Sequence, residues 1–412
     1  MSPTRTGLSG HDLNRLFAEA CAAQAADECV QARDTFRLLL DYLPDAALLH
    51  SHLGLAHYGL AEFDQARAAF TRAVDLAPTD NGALFNLALC EKQAGDLVTA
   101  IASYCRLLTQ TPQDIDCLYN LAGCYRETGD AEQAIACYQE VLSLDENHPA
   151  AAAGLAHIHH GRGETDQAAA WYQHQLARQP DDEAARYLLD ALTGIFHDHP
   201  PETYVRDLFD SCAKGFEKTL VTDLGYDNPV QLHGCLQRCP GHHEHYQHGL
   251  DLGCGTGLSG LPFCSLVTVL DGVDLSVNML ALARDKGCYT TLHTDSIIHH
   301  LRATTETYDL FIATDVFIYI GDLRELFAAT AAAARPGALF CCSTERMEAD
   351  GYELRSTGRY AYCQAYLRDM AAAAGWCVLA REPTGLRREG DVRIAGDLWV
   401  LRFDPPHTAE TA

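Results

Sequence analysis

The first half of the chain repeats itself every 34 residues. Registers beginning at Leu13, Ala47, Asn81, Ile115 and Pro149 follow one another without insertion. The twentieth residue of each unit is alanine (Ala32, Ala66, Ala100, Ala134, Ala168). The twenty-fourth is aromatic (Phe36, Phe70, Tyr104, Tyr138, Tyr172), and the eighth is small (Ala20, Gly54, Ala88, Ala122, Ala156). Four units end in proline (Pro44, Pro78, Pro112, Pro180); the fourth has Glu146 there and Pro149 just beyond. A small residue lets two helix axes approach, and an aromatic ring one turn on fills the gap to the next unit. Proline then stops the second helix of the pair. The spacing therefore predicts a stack of helix pairs.

This pattern resembles the tetratricopeptide repeat, a helix–turn–helix unit of that length, over residues 13–182. Asp182 to Leu192 reads as a closing helix over the last apolar face, which sets the expected first domain at 13–194. The resemblance implies a superhelix whose concave groove takes a protein or peptide partner, lined from the first helices by Phe17, Leu55, Tyr58, Phe85, Leu89, Tyr119 and Arg126. Asn86 and Asn120 share a column, with Lys92 and Arg126 six residues later. They are either a clamp for a peptide carboxylate or ordinary solvated side chains. The array can equally be a dimerisation or scaffolding arm. Its cysteines (Cys21, Cys29, Cys90, Cys105, Cys117, Cys124, Cys137) read as packing residues.

Charge narrows the partners. The 412 residues, enough for two or three domains, carry 30 Lys+Arg against 56 Asp+Glu, a net charge of −26. Neither half has basic residues to spare for a phosphate backbone or an anionic membrane. No apolar run reaches the ~20 residues of a membrane span. Met1 to Phe17 has no apolar signal core, and 17 scattered cysteines read as free thiols of a reducing cytoplasm.

After Gly194 the pattern changes. Two amphipathic stretches, Tyr204–Phe216 and Asn228–Leu236, precede short apolar runs that alternate with helical ones: LDLGCG, VTVLDGVDL, TTLHTD, YDLFIATDV, GALFCCS, WCVLA and LWVLRF. Buried runs of this length separated by helices mean a doubly wound α/β sheet, mostly parallel. Leu250 to Gly257 reads LDLGCGTG, a glycine-rich turn after a strand. Gly255, Gly257 and Gly260 also satisfy the G-x-G-x-x-G dinucleotide pattern. Asp251, Asp274, Asp295 and Asp315 follow at intervals of 23, 21 and 20 residues, about one strand plus one helix plus two loops. Each aspartate thus falls near the carboxyl end of a successive strand, the edge where open α/β sheets bind ligands. A row of carboxylates suits a cation better than a pyrophosphate, which favours S-adenosylmethionine over a nicotinamide dinucleotide.

The segment from Asp251 to Gly257 resembles the first motif of class I S-adenosylmethionine-dependent methyltransferases, and the likeness runs from about Gly249 to Phe403. The whole layout is similar to bacterial methyltransferases that contain tetratricopeptide repeats. The resemblance implies a methyltransferase domain over residues 200–405, with a covering helix from Tyr204 to Phe216. It implies that Gly253, Cys254, Gly255 and Gly257 pass under the methionine part of the cofactor, with Asp251 near its ammonium. Asp274 would hold the ribose hydroxyls beside Leu275, and Asp295 with Ser296 would meet the adenine amino group.

Asp315 would open the fourth-strand loop that faces methionine and acceptor. It is followed by Val-Phe-Ile-Tyr319, not by the asparagine-proline-proline-aromatic motif of the amino-group methylases that carry it. Asp315, Tyr319 and Tyr360 are the candidate catalytic residues, with Glu345, Arg359 and Tyr362 as further acceptor contacts. Seven Cys and His residues (Cys235 and Cys239; His233, His242, His243, His245 and His248) crowd ahead of the first strand. They read as a solvated loop without a metal, with a zinc site as the alternative. The expected function is methyl transfer with a partner on the repeat groove. A cofactor-binding but catalytically silent repeat scaffold and a nicotinamide-dependent oxidoreductase are the alternatives.

Overall fold

The computed structural model describes residues 8–213, 215–389 and 392–405. It divides into two compact units, Met1–Arg178 and Gln179–Ala412.

The first unit is all helical. Its five pairs are α1 (Gly10–Ala25) and α2 (Cys29–Leu40), α3 (Ala47–Gly59) and α4 (Phe63–Leu76), α5 (Asn81–Gln93) and α6 (Leu97–Gln110), α7 (Ile115–Thr128) and α8 (Ala131–Leu144), and α9 (Pro149–Gly161) and α10 (Thr165–Arg178). Units two to five begin at the residues where the repeat registers begin. The alanine column is fully buried throughout, and the aromatic column is at most 2% exposed. The small column explains itself at Gly54, where a Cβ would lie 2.7 Å from the Phe70 ring. Each buried aromatic contributes on the order of 2–3 kcal/mol of burial free energy.

Polar columns recur as well. Asp80 and Asp114 accept the backbone N–H of Ala83 (3.0 Å) and Cys117 (2.9 Å), and His148 takes the same place with Ala151 (3.2 Å). These caps satisfy N–H groups that a helix start leaves unpaired. At another column Asp96 and Asp130 cap α6 and α8, whereas Glu62 and Glu164 reach back to His57 and His159, each at 2.5 Å. Cys90, Cys117 and Cys124 are buried, as packing residues should be, but Cys105 is exposed.

The second unit opens with α11 (Glu183–Thr193), the helix expected to close the array. Its N-cap, Asp182, continues the column of Asp80 and Asp114 (Ala185 N–H at 2.8 Å), yet Tyr187 donates its hydroxyl to the Gly358 carbonyl at 3.0 Å. The helix keeps the repeat's sequence register and packs with the second unit.

A seven-stranded sheet follows. Its strands are β1 (Tyr246–Leu252), β2 (Val267–Asp274), β3 (Thr291–Thr294), β4 (Tyr308–Ala313), β5 (Ala334–Glu345), β8 (Trp376–Glu389) and β9 (Val392–Phe403). A separate hairpin comprises β6 (Tyr352–Leu354) and β7 (Tyr360–Tyr362). The order is β3-β2-β1-β4-β5-β9-β8; the first five strands are parallel, and β9 runs antiparallel to both β5 and β8. The helices are α12 (Glu202–Cys212), α13 (Asn228–Arg238), α14 (Val277–Lys286), α15 (Ile297–Ala303), α16 (Arg324–Ala332) and α17 (Gln364–Ala373). Leu232, Cys235, Leu236 and Cys239 pack α13 onto Leu310, Ile312, Leu339 and Cys341. The alternate residues Phe311 and Phe340 meet Trp376, Phe317 and Phe327. Both faces are therefore covered, which is why these strands read as continuous apolar runs.

Candidate functional site

The chain runs from β1 outward to β3 and then returns to β4 on the other side of β1, so the sheet's switch point lies between the carboxyl ends of β1 and β4. The glycine loop leaves β1 at that point. Gly253, Gly255 and Gly257 have φ of 65°, 53° and 89°, a conformation that side chains disfavour. Their surroundings differ. A Cβ on Gly253 would lie 2.8 Å from Val316, and one on Gly257 would lie 3.1 Å from Tyr289. A Cβ on Gly255 would meet nothing within 4 Å. Gly255 is thus the place where backbone faces open space. Cys254 is 2% exposed, so it offers a ligand its backbone alone.

In residues 253–266 no α-helix forms; a run of turns ends in a 3-10 turn at Cys264–Leu266. Glycines and Pro262 disfavour a helix there, and the Ser259 hydroxyl is drawn inward to Asp251. The dinucleotide fingerprint requires a helix N-terminus directly after its first glycines, to face the pyrophosphate. Gly260 has another purpose: a Cβ there would lie 2.5 Å from the Tyr289 hydroxyl.

The carboxylates take distinct places. Asp251 is fully buried beneath the loop, where Oδ2 accepts hydrogen bonds from Ser259 Oγ (2.5 Å) and Tyr289 OH (2.6 Å). Burial pushes its carboxyl up to about 7 against the pull of those two donors. It has no exposed surface, so it stands behind the loop and not in the open space beside Gly255. Asp274 ends β2 half-buried and accepts from Gly255 N–H and Ser276 N–H, each at 2.9 Å. Burial raises its carboxyl too, and those N–H groups oppose the shift. Leu275 beside it is half-buried. Asp295 follows β3 and accepts from Ser296 N–H (2.8 Å) and His299 Nδ1 (2.7 Å); Ser296 caps α15.

Asp315 lies two residues beyond β4, in left-handed backbone with φ 57°. Its N–H donates to Ser343 Oγ (2.8 Å), which donates back to Oδ1 (3.1 Å). Asn228 Nδ2 spans both carboxylate oxygens at 3.2 Å. Arg387 Nη1 stands 3.9 Å from Oδ2, while its Nη2 binds Glu345 (3.0 Å), itself held by Arg355 (2.5 Å). Burial raises the Asp315 carboxyl; Arg387 and the hydrogen bonds lower it. Asn228 Oδ1 and Arg387 Nη1 are buried without a hydrogen-bond partner. Tyr319 is half-buried, receives a hydrogen bond from Arg359 Nε (3.3 Å), and meets Phe209 of α12 edge-on.

Tyr360 and Tyr362 do not join this edge. Tyr360 is fully buried and donates to the His197 carbonyl at 2.8 Å; Tyr362 donates to Phe317 O (2.7 Å) and Gly321 O (2.9 Å). Their hydroxyls hold backbone, so the expectation of an acceptor contact at Tyr360 gives way to a packing role. Glu345, 2% exposed, is likewise taken up by its two arginines.

Several residues here were not singled out from the sequence: Tyr289 and Arg387 lie outside any motif, Asn228 opens the amphipathic stretch to Leu236, and Ser343 ends the run GALFCCS. Asp210 of α12 lies in the stretch Tyr204–Phe216 that the resemblance marks as a covering helix. Its carboxylate accepts from Ser276 Oγ (2.5 Å) and Asn278 N–H (3.3 Å), pinning the covering helix to the start of α14. The Cys/His segment disperses. Cys235 and Cys239 sit in the core, His245 pairs with Thr268 (2.8 Å) and His248 with Asp271 (2.8 Å). Among the described residues no group of three His, Cys, Asp or Glu side chains is arranged to hold a metal. In the first unit Lys92 Nζ donates to Asn120 Oδ1 at 3.4 Å, and Tyr119 packs on Tyr138 and His148.

Comparison with known proteins follows the same division. Residues 17–81, 53–115, 91–141 and 126–192 match models of the tetratricopeptide repeat, and residues 250–337 match a model of a methyltransferase domain. Among curated proteins no match is found. Similar solved structures include MamA (18% identity, 39% of this chain and 94% of that one, TM-score 0.38). Another is YrrB, described as a tetratricopeptide-repeat protein with an unusual peptide-binding site (15%, 42% and 89%, TM-score 0.39). A third is a tetratricopeptide repeat protein from Parabacteroides merdae (18%, 49% and 79%, TM-score 0.43). Among the described residues no helix is long and apolar enough to cross a membrane. The chain therefore carries tetratricopeptide repeats in its first half, followed by a methyltransferase domain.

Proposed function

We propose that the second unit transfers the methyl group of S-adenosylmethionine to an acceptor, leaving S-adenosylhomocysteine, and that the repeat array recruits a protein or peptide partner in a reducing cytoplasm. The observation that carries this reading is Gly255: left-handed, open above its Cα, and tied by its N–H to Asp274. The donor set suits the cofactor, because carboxylates at the ends of successive strands favour a sulfonium and an ammonium over a pyrophosphate. When bound, S-adenosylmethionine supplies an electrophilic methyl group on a positive sulfur.

The chain's own residues then have limited tasks. Gly253, Gly255 and Gly257 give close backbone approach. Asp274 and Leu275 form the ribose side, and Asp295 with Ser296 the adenine side. The α12 helix, pinned through Asp210, excludes water from one flank. In-line displacement mainly needs two reactants held in line in a dry site. Asp315 and Tyr319 are the acceptor-side groups, and Asp315 can take the acceptor's proton or hold it by hydrogen bond.

Isothermal titration with S-adenosylhomocysteine, and separately with NADH, on the full chain and on Asp274→Ala tests the reading. Micromolar binding of the former, lost in the variant, supports it. A folded sample that ignores S-adenosylhomocysteine sinks it; NADH binding would favour an oxidoreductase, and silence toward both a scaffold.

A further inference from the structure

Tyr289 stands apart from every motif, yet three glycines are shaped around it. A Cβ on Gly260 would lie 2.5 Å from its hydroxyl, one on Gly257 3.1 Å from Cε2, and one on Gly272 3.1 Å from Cδ1. Gly257 and Gly260 belong to the loop after β1, and Gly272 to β2. The ring is therefore wedged between loop and sheet, in space that any side chain at those positions would occupy. Its hydroxyl, together with that of Ser259, converges on one oxygen of Asp251. The other oxygen, Oδ1, is buried with no hydrogen-bond partner.

That arrangement leaves each protonation state of Asp251 imperfectly satisfied. The ionised carboxylate accepts both hydroxyls well but leaves a buried charge with one bare oxygen. The protonated form removes the charge but brings an O–H donor with nothing to accept it. Among the titratable groups facing Asp251 none is a cation that would hold it ionised. They are Asp274 at the end of β2, Cys254 in the loop, Cys288 and Tyr289 ahead of β3, and Tyr226 ahead of α13, all neutral or anionic. Positive charge lodged in the loop would hold it ionised.

We propose that Tyr289 and Asp251 are the positioning pair of the glycine loop, and that a cationic ligand bound there drives a proton off Asp251. The inference rests on the methyltransferase reading, since the cation is the ammonium shared by S-adenosylmethionine and its product. The bond changes balance: Asp251 loses one proton to solvent on binding and recovers it on release. Neither residue touches the ligand. Tyr289 acts by keeping one carboxylate oxygen supplied with a donor, and Asp251 by anchoring the loop.

The probe is S-adenosylhomocysteine, titrated calorimetrically into the full chain at pH 6, 7 and 8 in buffers of different ionisation enthalpy. With the carboxyl near 7, affinity rises by up to about tenfold from pH 6 to pH 8, and a fraction of a proton is released at pH 7. Tyr289→Phe removes a donor that favours the ionised form, so its binding weakens at pH 7 and recovers at higher pH. A purely structural role gives no such recovery. Asp251→Asn abolishes both the proton release and the pH dependence. Binding that is flat with pH, with no proton exchanged by the unsubstituted protein, overturns the inference and leaves the cofactor reading intact. A folded Tyr289→Phe with unchanged affinity and profile overturns it as well. If that variant does not fold, the proton count on the unsubstituted chain still decides. Absence of binding at every pH instead sinks the cofactor reading.

Discussion

Ser343 Oγ closes a ring on Asp315, accepting its backbone N–H at 2.8 Å and donating to its carboxylate at 3.1 Å. The pair holds a non-glycine residue at φ 57°, a conformation that costs roughly 1–2 kcal/mol for an L-residue. Strain of this kind persists where the surroundings over-determine it, and here it fixes the carboxylate beside the switch point. Ser343→Ala leaves that N–H without its acceptor, in a position where Ser343 is 1% exposed. The variant should lose about 1–3 kcal/mol in urea unfolding of the second unit. Ser343→Thr, which retains the hydroxyl, should lose less; equal losses would show that the ring does not matter.

The turns inside the helix pairs give a second prediction. Asp27, Ala61, Gly95, Gly129 and Gly163 are spaced 34 residues apart, and all are left-handed, with φ between 57° and 83°. Three units use glycine there; two do not. Ala61→Gly should stabilise the first unit by about 1 kcal/mol, the relieved strain outweighing the extra freedom of the unfolded chain. Gly129→Ala should cost a similar amount. Chemical denaturation of both variants reads this out, and a destabilised Ala61→Gly would refute it.

The same columns show what could be read from the chain alone. Ala100 and Tyr104 recur in phase because a solenoid presents the same packing problem to every unit. The positive-φ turn was equally periodic, but Asp27 and Ala61 hid it, since a tolerated strain leaves no mark in composition. In the second unit, Asp274 and Asp315 were legible because parallel strands deliver their carboxyl ends at a regular interval. The interval misled in one respect: the 23 residues from Asp251 to Asp274 span turns where a helix was expected. Tyr289, Asn228 and Arg387 were invisible because each reaches the site from a separate element. Tyr360 lay near the right region with its hydroxyl committed to His197 O, and chain position does not reveal direction.

Acid should weaken the β3 edge. His300 is 8% exposed, its ring lies tilted against His293 with centroids 4.4 Å apart, and its Nε2 is buried without a hydrogen-bond partner. Burial, and then His293, lowers its protonation range from the ordinary 6.5. The folded state therefore binds fewer protons than the unfolded one. Stability from this group is full above about pH 6.5 and falls as pH drops through its lower folded value. Thermal unfolding between pH 7.5 and 5 should show a smaller loss for His300→Leu than for the unsubstituted chain. Parallel pH curves would remove His300 from the account.

The two glycines at either side of Cys254 should separate folding from binding. Gly253 and Gly255 share left-handed backbone, so alanine at either is strained by about 1 kcal/mol. At Gly253 the added methyl also meets Val316 at 2.8 Å, in the segment that follows Asp315, and that side chain must shift. At Gly255 it meets no protein atom within 4 Å. Gly253→Ala should therefore lose more stability, with a further 1–3 kcal/mol from overpacking, roughly. Gly255→Ala should stay within about 1 kcal/mol of the unsubstituted chain and yet lose at least about tenfold in affinity for S-adenosylhomocysteine, because its methyl projects into the space that close backbone approach requires. Measuring melting temperature and binding on both variants places them on different axes. If Gly255→Ala binds the nucleoside normally, the open space above that residue is not where the ligand lies, and the loop's role has to be sought at Gly257 instead.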